Sequence, residues 1–225
     1  NLTKISNSLK QEQKKYNIFL CGGDTVFSKK LSFTIITLGF SDKIIYRNNA
    51  KLNDNIYVTG NLGDSYAGLK VLKNRYNIKK SLKKYFVNTY YQPNLHLNLA
   101  KKLFLFANTS IDISDGLIDD LEKLINKQNL SYKLKLYNVP ISNNLRKLLI
   151  LKKLNKESFI SKGDDYQILF TANSSKSRIV NKIAKSMRIK ISKIGKITSG
   201  AHKSQILDQK GMKIGLKEKG YTHKF

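Results

Sequence analysis

Four times in this chain an apolar run ends at a glycine that stands beside an aspartate. The segments are Cys21-Gly22-Gly23-Asp24, Val58-Thr59-Gly60-Asn61-Leu62-Gly63-Asp64, Ile111-Asp112-Ile113-Ser114-Asp115-Gly116 and Ile160-Ser161-Lys162-Gly163-Asp164-Asp165. Each reads as a strand followed by a tight turn, and a helix follows the second and the third. Glycine adopts turn conformations that other residues resist and lets a second segment approach the backbone. A chain punctuated in this way has strands that deliver carboxylates at their ends. Only 15 residues are acidic against 42 Lys and Arg, yet Asp119, Asp120 and Glu122 follow directly on the third segment. Carboxylates gathered at loop–helix junctions are what magnesium and nucleotide chemistry requires.

The formal net charge of +27 invites a nucleic-acid reading. Lys dominates and is spread along the whole chain, so we read its runs as solvated faces rather than as a polyanion site. The aromatics do not form the pattern of an RNA-binding sheet. A length of 225 residues with 40% hydrophobic content is enough to bury a core. A single cysteine excludes an internal disulfide and fits a reducing, cytoplasmic compartment. Cys21 itself lies in an apolar run and is expected to be a buried small hydrophobe. The apolar run over 31–40 is too short to span a membrane and carries Ser and Thr, so no membrane association is expected. The chain begins at Asn rather than Met, and is expected to be part of a longer protein.

Periodicity predicts helices over 1–15, 64–72, 93–107, 114–127, 143–151 and 174–187. It predicts strands over 16–21, 31–39, 56–59, 110–113, 132–137 and 166–172, and short strands with glycine turns from 189 to the end. Residues 74–91 are polar and read as a loop or a loosely packed helix. Strands and helices mix without a regular βαβ rhythm, which predicts an α+β fold.

Among the acidic segments, 111–122 carries the strongest chemistry. Asp112 at a strand end and Asp115 at a helix start can hold a cation that also touches phosphate oxygens. The free N–H groups of the first helical turn can meet the same phosphates. Capping by Ser114 and Asp115, with Asp119 and Asp120 favourable to the helix dipole, explains most of these letters equally well. It does not explain Asp112, an acid between two isoleucines. Gly22-Gly23-Asp24-Thr25 fits either close approach of a ligand or a tight turn. Residues 60–65 lack the Lys-Ser/Thr ending of a Walker loop, and we read them as a turn with Asp64 as cap. Lys162-Gly163-Asp164-Asp165-Tyr166 sets two like charges side by side; they need a cation, a basic neighbour, a shifted pKa or full solvation. The three histidines have no zinc spacing, and no nucleophile elbow is present.

Taken in order, these segments resemble the thiamine-monophosphate kinase family, within the superfamily that includes aminoimidazole ribonucleotide synthetase. The resemblance also draws on Arg47-Asn48-Asn49-Ala50-Lys51, on Ser65-Tyr66-Ala67-Gly68-Leu69 and on the terminal Gly220-Tyr221-Thr222-His223. It implies a PurM-like two-domain fold, with residues 1–50 forming the rear of an N-terminal ATP-binding and dimerisation domain and 51–225 the C-terminal α/β domain. It implies transfer of the γ-phosphoryl group of ATP to thiamine monophosphate, assisted by Mg2+ and without a protein nucleophile. By the same resemblance Gly23, Asp24, Arg47 and Ser114 would bind ATP, and Asp24, Asp112 and Asp115 would hold metal. Asp164 and Tyr221 would bind the thiamine moiety. A homodimer is implied for the full-length enzyme. The family has Glu where Asp164 stands, after Gly-Gly rather than Lys162-Gly163. The chain looks like the C-terminal two-thirds of such an enzyme, and residues 1–225 alone are expected to be inactive. The alternatives are another ATP-using enzyme of the superfamily (acting on a purine precursor, selenide or a carbamoyl group), a degenerate non-catalytic chain, and a basic nucleic-acid-binding module.

Overall fold

The computed structural model describes residues 2–216 and 218–221. Compactness divides the chain into two units, Asn1–Phe40 and Ser41–Phe225.

In the first unit, α1 (Leu2–Tyr16) follows the predicted helix, although none of its residues is buried. Asn17 takes a left-handed conformation after it, with φ 52°. Residues 17–40 contain no helix or strand, so the strands expected over 16–21 and 31–39 do not form. Cys21 is exposed rather than buried, and Phe27 and Phe40 are fully exposed. Alternation supplies one apolar face. A strand also needs a neighbour for its N–H and C=O groups and a cover for that face. The described residues of this unit supply neither.

The second unit is built on six strands in the order β2-β4-β1-β5-β3-β6. They are β1 (Asn55–Thr59), β2 (Thr109–Asp112), β3 (Leu130–Lys135), β4 (Ile168–Ala172), β5 (Ile191–Ser199) and β6 (Gln205–Leu207). All neighbours are antiparallel except β3 and β6. The helices are α2 (Asp64–Leu72), α3 (Lys80–Tyr91), α4 (Leu97–Ala100), α5 (Leu117–Ile125), α6 (Asn143–Lys152), α7 (Glu157–Ile160) and α8 (Ser177–Met187). The mixture is the α+β class that the sequence predicts. No helix among the described residues is long and apolar enough to cross a membrane.

Strand alternation sorts the core onto two faces. Ile56 and Val58 of β1 and Leu169 of β4 point to one side, where Leu117, Ile118, Leu121 and Leu124 of α5 cover them. Tyr57 and Phe170 point to the other, stacked with ring centroids 5.2 Å apart, beneath Val180 and Ile183 of α8. Each fully buried Leu or Ile stabilises the fold by about 1.5–3 kcal/mol. A third cluster joins Ala67, Val71, Phe86, Leu148 and Phe159 from α2, α3, α6 and α7. The stretch 74–91, read as a loop or loose helix, thus contains the well-formed α3, because Phe86 is wholly buried against α2. The helix expected over 93–107 breaks into α4 and a 3-10 turn at Leu103–Leu105. Residues 41–50, which the sequence groups with the preceding domain, are bonded into this unit. Thr109 Oγ1 donates to the Tyr46 carbonyl at 2.7 Å, and the Asn48 N–H donates to the Leu124 carbonyl at 2.8 Å.

Candidate functional site

Three loops converge at one end of the sheet, because β1 and β2 both end there and β4 begins there. Opposite the last residue of β2, Asp112, stands Ile168, the first of β4. Backbone bonds staple the 163–166 turn to the loop after β2: the Asp164 N–H donates to the Ser114 carbonyl at 2.9 Å and the Tyr166 N–H to the Ile113 carbonyl at 2.8 Å. Glycine makes this approach possible. A Cβ on Gly163, at φ 72°, would lie 2.0 Å from the Ser114 carbonyl oxygen, and one on Gly116, at φ 128°, would lie 2.6 Å from that of Ser161. These glycines accept another backbone segment at their surface.

The adjacent acids of this turn have different surroundings. Asp165 is 4% exposed and reaches the start of α2, where it accepts the Gly63 N–H at 2.8 Å and the Ser65 N–H at 3.4 Å. It caps a helix from the far side of the chain. Burial pushes its carboxyl up, against the pull of those donors. Asp64, expected as the cap, instead accepts the Ser142 hydroxyl at 2.7 Å and the Tyr85 hydroxyl at 2.8 Å. Asp164 is only partly buried, and its carboxyl is raised by burial and by the nearby charge of Asp115. The Tyr166 hydroxyl is raised by burial and by Asp164, Asp112 and Asp115, so these groups share one electrostatic neighbourhood.

The start of α5 gathers the remaining charge. Asp120, and neither Ser114 nor Asp115, closes this helix: its Oδ2 accepts the N–H groups of Asp115 and Gly116, each at 3.0 Å. Lys123 Nζ stands 2.5 Å from Asp115 Oδ2, 2.6 Å from Asp119 Oδ2 and 3.6 Å from Asp120 Oδ1. Burial pulls its ammonium down, but the bonds to Asp115 and Asp119 outweigh this and hold it above its usual range. Oxygen atoms of Asp115, Asp119 and Asp120 lie within 4.8 Å of one another. All are oxygen donors, the type a hard divalent cation takes, and here the Lys123 ammonium neutralises them. The chain's last described residues cross this point, with the Tyr221 N–H donating to the Asp115 carbonyl at 2.8 Å and the Asp119 N–H to the Lys219 carbonyl at 3.2 Å. Thr222 and His223 lie outside the described residues. Beside exposed Asp112 runs an open groove of about 620 Å³, lined by Lys43, Lys101, Phe104, Ser110 and Ile168.

The structure therefore brings Asp112, Ser114, Asp115, Asp164 and Tyr221 together. Arg47 is exposed, and its neighbour Asn48 is bonded at the far end of α5, a nine-residue helix that spans about 13 Å. Gly23 and Asp24 belong to the unit Asn1–Phe40, where both are exposed and Asp24 Oδ1 accepts the Thr25 N–H at 2.7 Å. Sequence reading singled out the segment of Asp165 and Tyr166 without giving either a role, and it missed Lys123. Lys123 carries a legible signal, its spacing of four from Asp119 on one helix face.

No family model matches the chain. Curated relatives do. Thiamine-monophosphate kinase from Buchnera aphidicola subsp. Schizaphis graminum (strain Sg) is 35% identical over 226 residues, and that from Buchnera aphidicola subsp. Acyrthosiphon pisum (strain APS) is 32% identical over 229. In both comparisons 99% of this chain aligns with 69% of the relative. The solved structure of AaThiL complexed with AMPPCP and TMP superposes with a TM-score of 0.65 at 25% identity, covering 79% of this chain and 54% of that one.

Proposed function

The chain belongs to the thiamine-monophosphate kinase family, and from that premise we propose that the full-length protein transfers the γ-phosphoryl group of ATP to thiamine monophosphate, forming thiamine diphosphate. The observation that carries this reading is the convergence of Asp112, Ser114, Asp115, Asp164 and Tyr221 at one end of the sheet. Complexation of a solved relative with AMPPCP, an ATP analogue, and TMP supports both substrates.

In this reading residues 1–50 are the rear of an ATP-binding domain and 51–225 the C-terminal α/β domain, into which 41–50 are bonded. Asp24, Asp112 and Asp115 would hold magnesium, whose charge neutralises phosphate oxygens when bound. Gly23, Asp24, Arg47 and Ser114 bind ATP; Asp164 and Tyr221 bind the thiamine moiety. The acceptor is a phosphate oxygen, which needs no protein nucleophile, so the side chains position and neutralise. Lys123 holds Asp115 in place by charge, and the Asp164–Ser114 backbone bond fixes the substrate residue against the metal-binding segment. The enzyme acts in the cytoplasm as a homodimer, a reading supported by family membership.

The test is to incubate the full-length protein with ATP, magnesium and thiamine monophosphate and to assay thiamine diphosphate. Product is expected, and chelation of the metal should abolish it. A folded protein that forms none would overturn the proposal.

A further inference from the structure

Asp165 takes no part in the reaction as drawn above, yet it is the most deeply buried acid of the 163–166 turn. Its two neighbours, Asp164 and Tyr166, both have left-handed backbone, with φ 58° and 51°. Non-glycine residues persist in that region only where the surroundings over-determine them. Two constraints do so here. On one side the N–H groups of Asp164 and Tyr166 are held by the Ser114 and Ile113 carbonyls. On the other, the side chain between them is anchored in the N-terminus of α2 through Gly63 and Ser65. The turn is thus clamped between the loop after β1 and the loop after β2, and Asp165 is its only side-chain tie to the former among the described hydrogen bonds of residues 163–166.

We infer that Asp165 is a positioning residue, which by anchoring the 163–166 turn to the start of α2 sets the carboxylate of Asp164 where the thiamine moiety of the substrate is bound. The inference rests on the reading of Asp164 as a substrate-binding residue. Asp165 touches no substrate. It works through Asp164, so its loss should be felt in recognition of the acceptor and not of ATP.

The experiment uses the full-length enzyme carrying Asp165→Asn, Asp164→Asn and both together. Asn at 165 accepts one N–H and turns its own NH2 toward the other, which loosens the clamp at nearly constant shape. Asp165→Asn should raise KM for thiamine monophosphate about tenfold with KM for ATP unchanged, and the double variant should be no worse than Asp164→Asn alone, since groups acting through one another are non-additive. Should Asp165→Asn fail to fold, Asp165→Glu keeps the carboxyl group, displaces it by one methylene, and should give the same acceptor-specific rise. An equal rise in both KM values, an unchanged KM for the acceptor, or additive effects would overturn the inference. So would failure of both variants to fold, which would make Asp165 a cap for the fold alone. A folded wild-type enzyme that forms no thiamine diphosphate would overturn the kinase reading itself, and with it this one.

Discussion

The backbone at residue 163 leaves no room for a side chain, since the nearest obstacle to a Cβ is a carbonyl oxygen and not a flexible side chain. Gly163→Ala should therefore destabilise the protein by at least about 2 kcal/mol, through both the clash and the positive φ, as read by chemical denaturation. Asp112 presents the opposite case. It is exposed, at the end of an edge strand, so Asp112→Asn should change stability by no more than about 0.5 kcal/mol. On the metal-binding role proposed for Asp112, turnover should nevertheless fall to background. Retained activity would return Asp112 to the role of a solvated strand end. Asp112 was legible as an acid between two isoleucines. The function of Asp165 was not, because its partner Gly63 lies 102 residues away and a cap supplied from that distance leaves no local pattern. Asp119 and Lys123, four residues apart on one helix, show the contrast: helical spacing alone pairs them.

Elements were legible where pattern and packing agree. β1, β2, α5, α6 and α8 lie close to their expected positions, because each carries an apolar face that another element covers. The strands expected over 16–21 and 31–39 had the right letters and lack a neighbour among the described residues of their unit. One connection between elements carries a pH dependence. Lys156, just before α7, donates to the Leu136 and Val139 carbonyls on the chain between β3 and α6. Burial lowers its ammonium to about 8 from a usual 10.5. Between those values the unfolded chain binds a proton that the folded chain does not. Folding is therefore favoured increasingly as pH rises from about 8 toward 10.5, and that contribution is lost as pH falls through 8. Lys156→Met should flatten the rise. Thermal denaturation of both proteins across pH 7.5–10 checks this, and an equal slope in the two would refute it.

At the scale of the whole molecule, the chain spans 69% of the Buchnera relatives' length. In the isolated chain, trypsin should cut first near Lys29 and Lys30, which lie in an exposed stretch without helix or strand; first cuts within β1 or α5 would contradict the fold described above. The strand order carries a further consequence, for the timing of synthesis. β1 lies inside the sheet, between β4 and β5, and pairs Asn55 with Ala172 on one side and Lys196 on the other. A nascent chain has made β1 long before either partner leaves the ribosome. Its two edges must wait unpaired until β4 (Ile168–Ala172) and β5 (Ile191–Ser199) have been made, and the sheet can close only after β5.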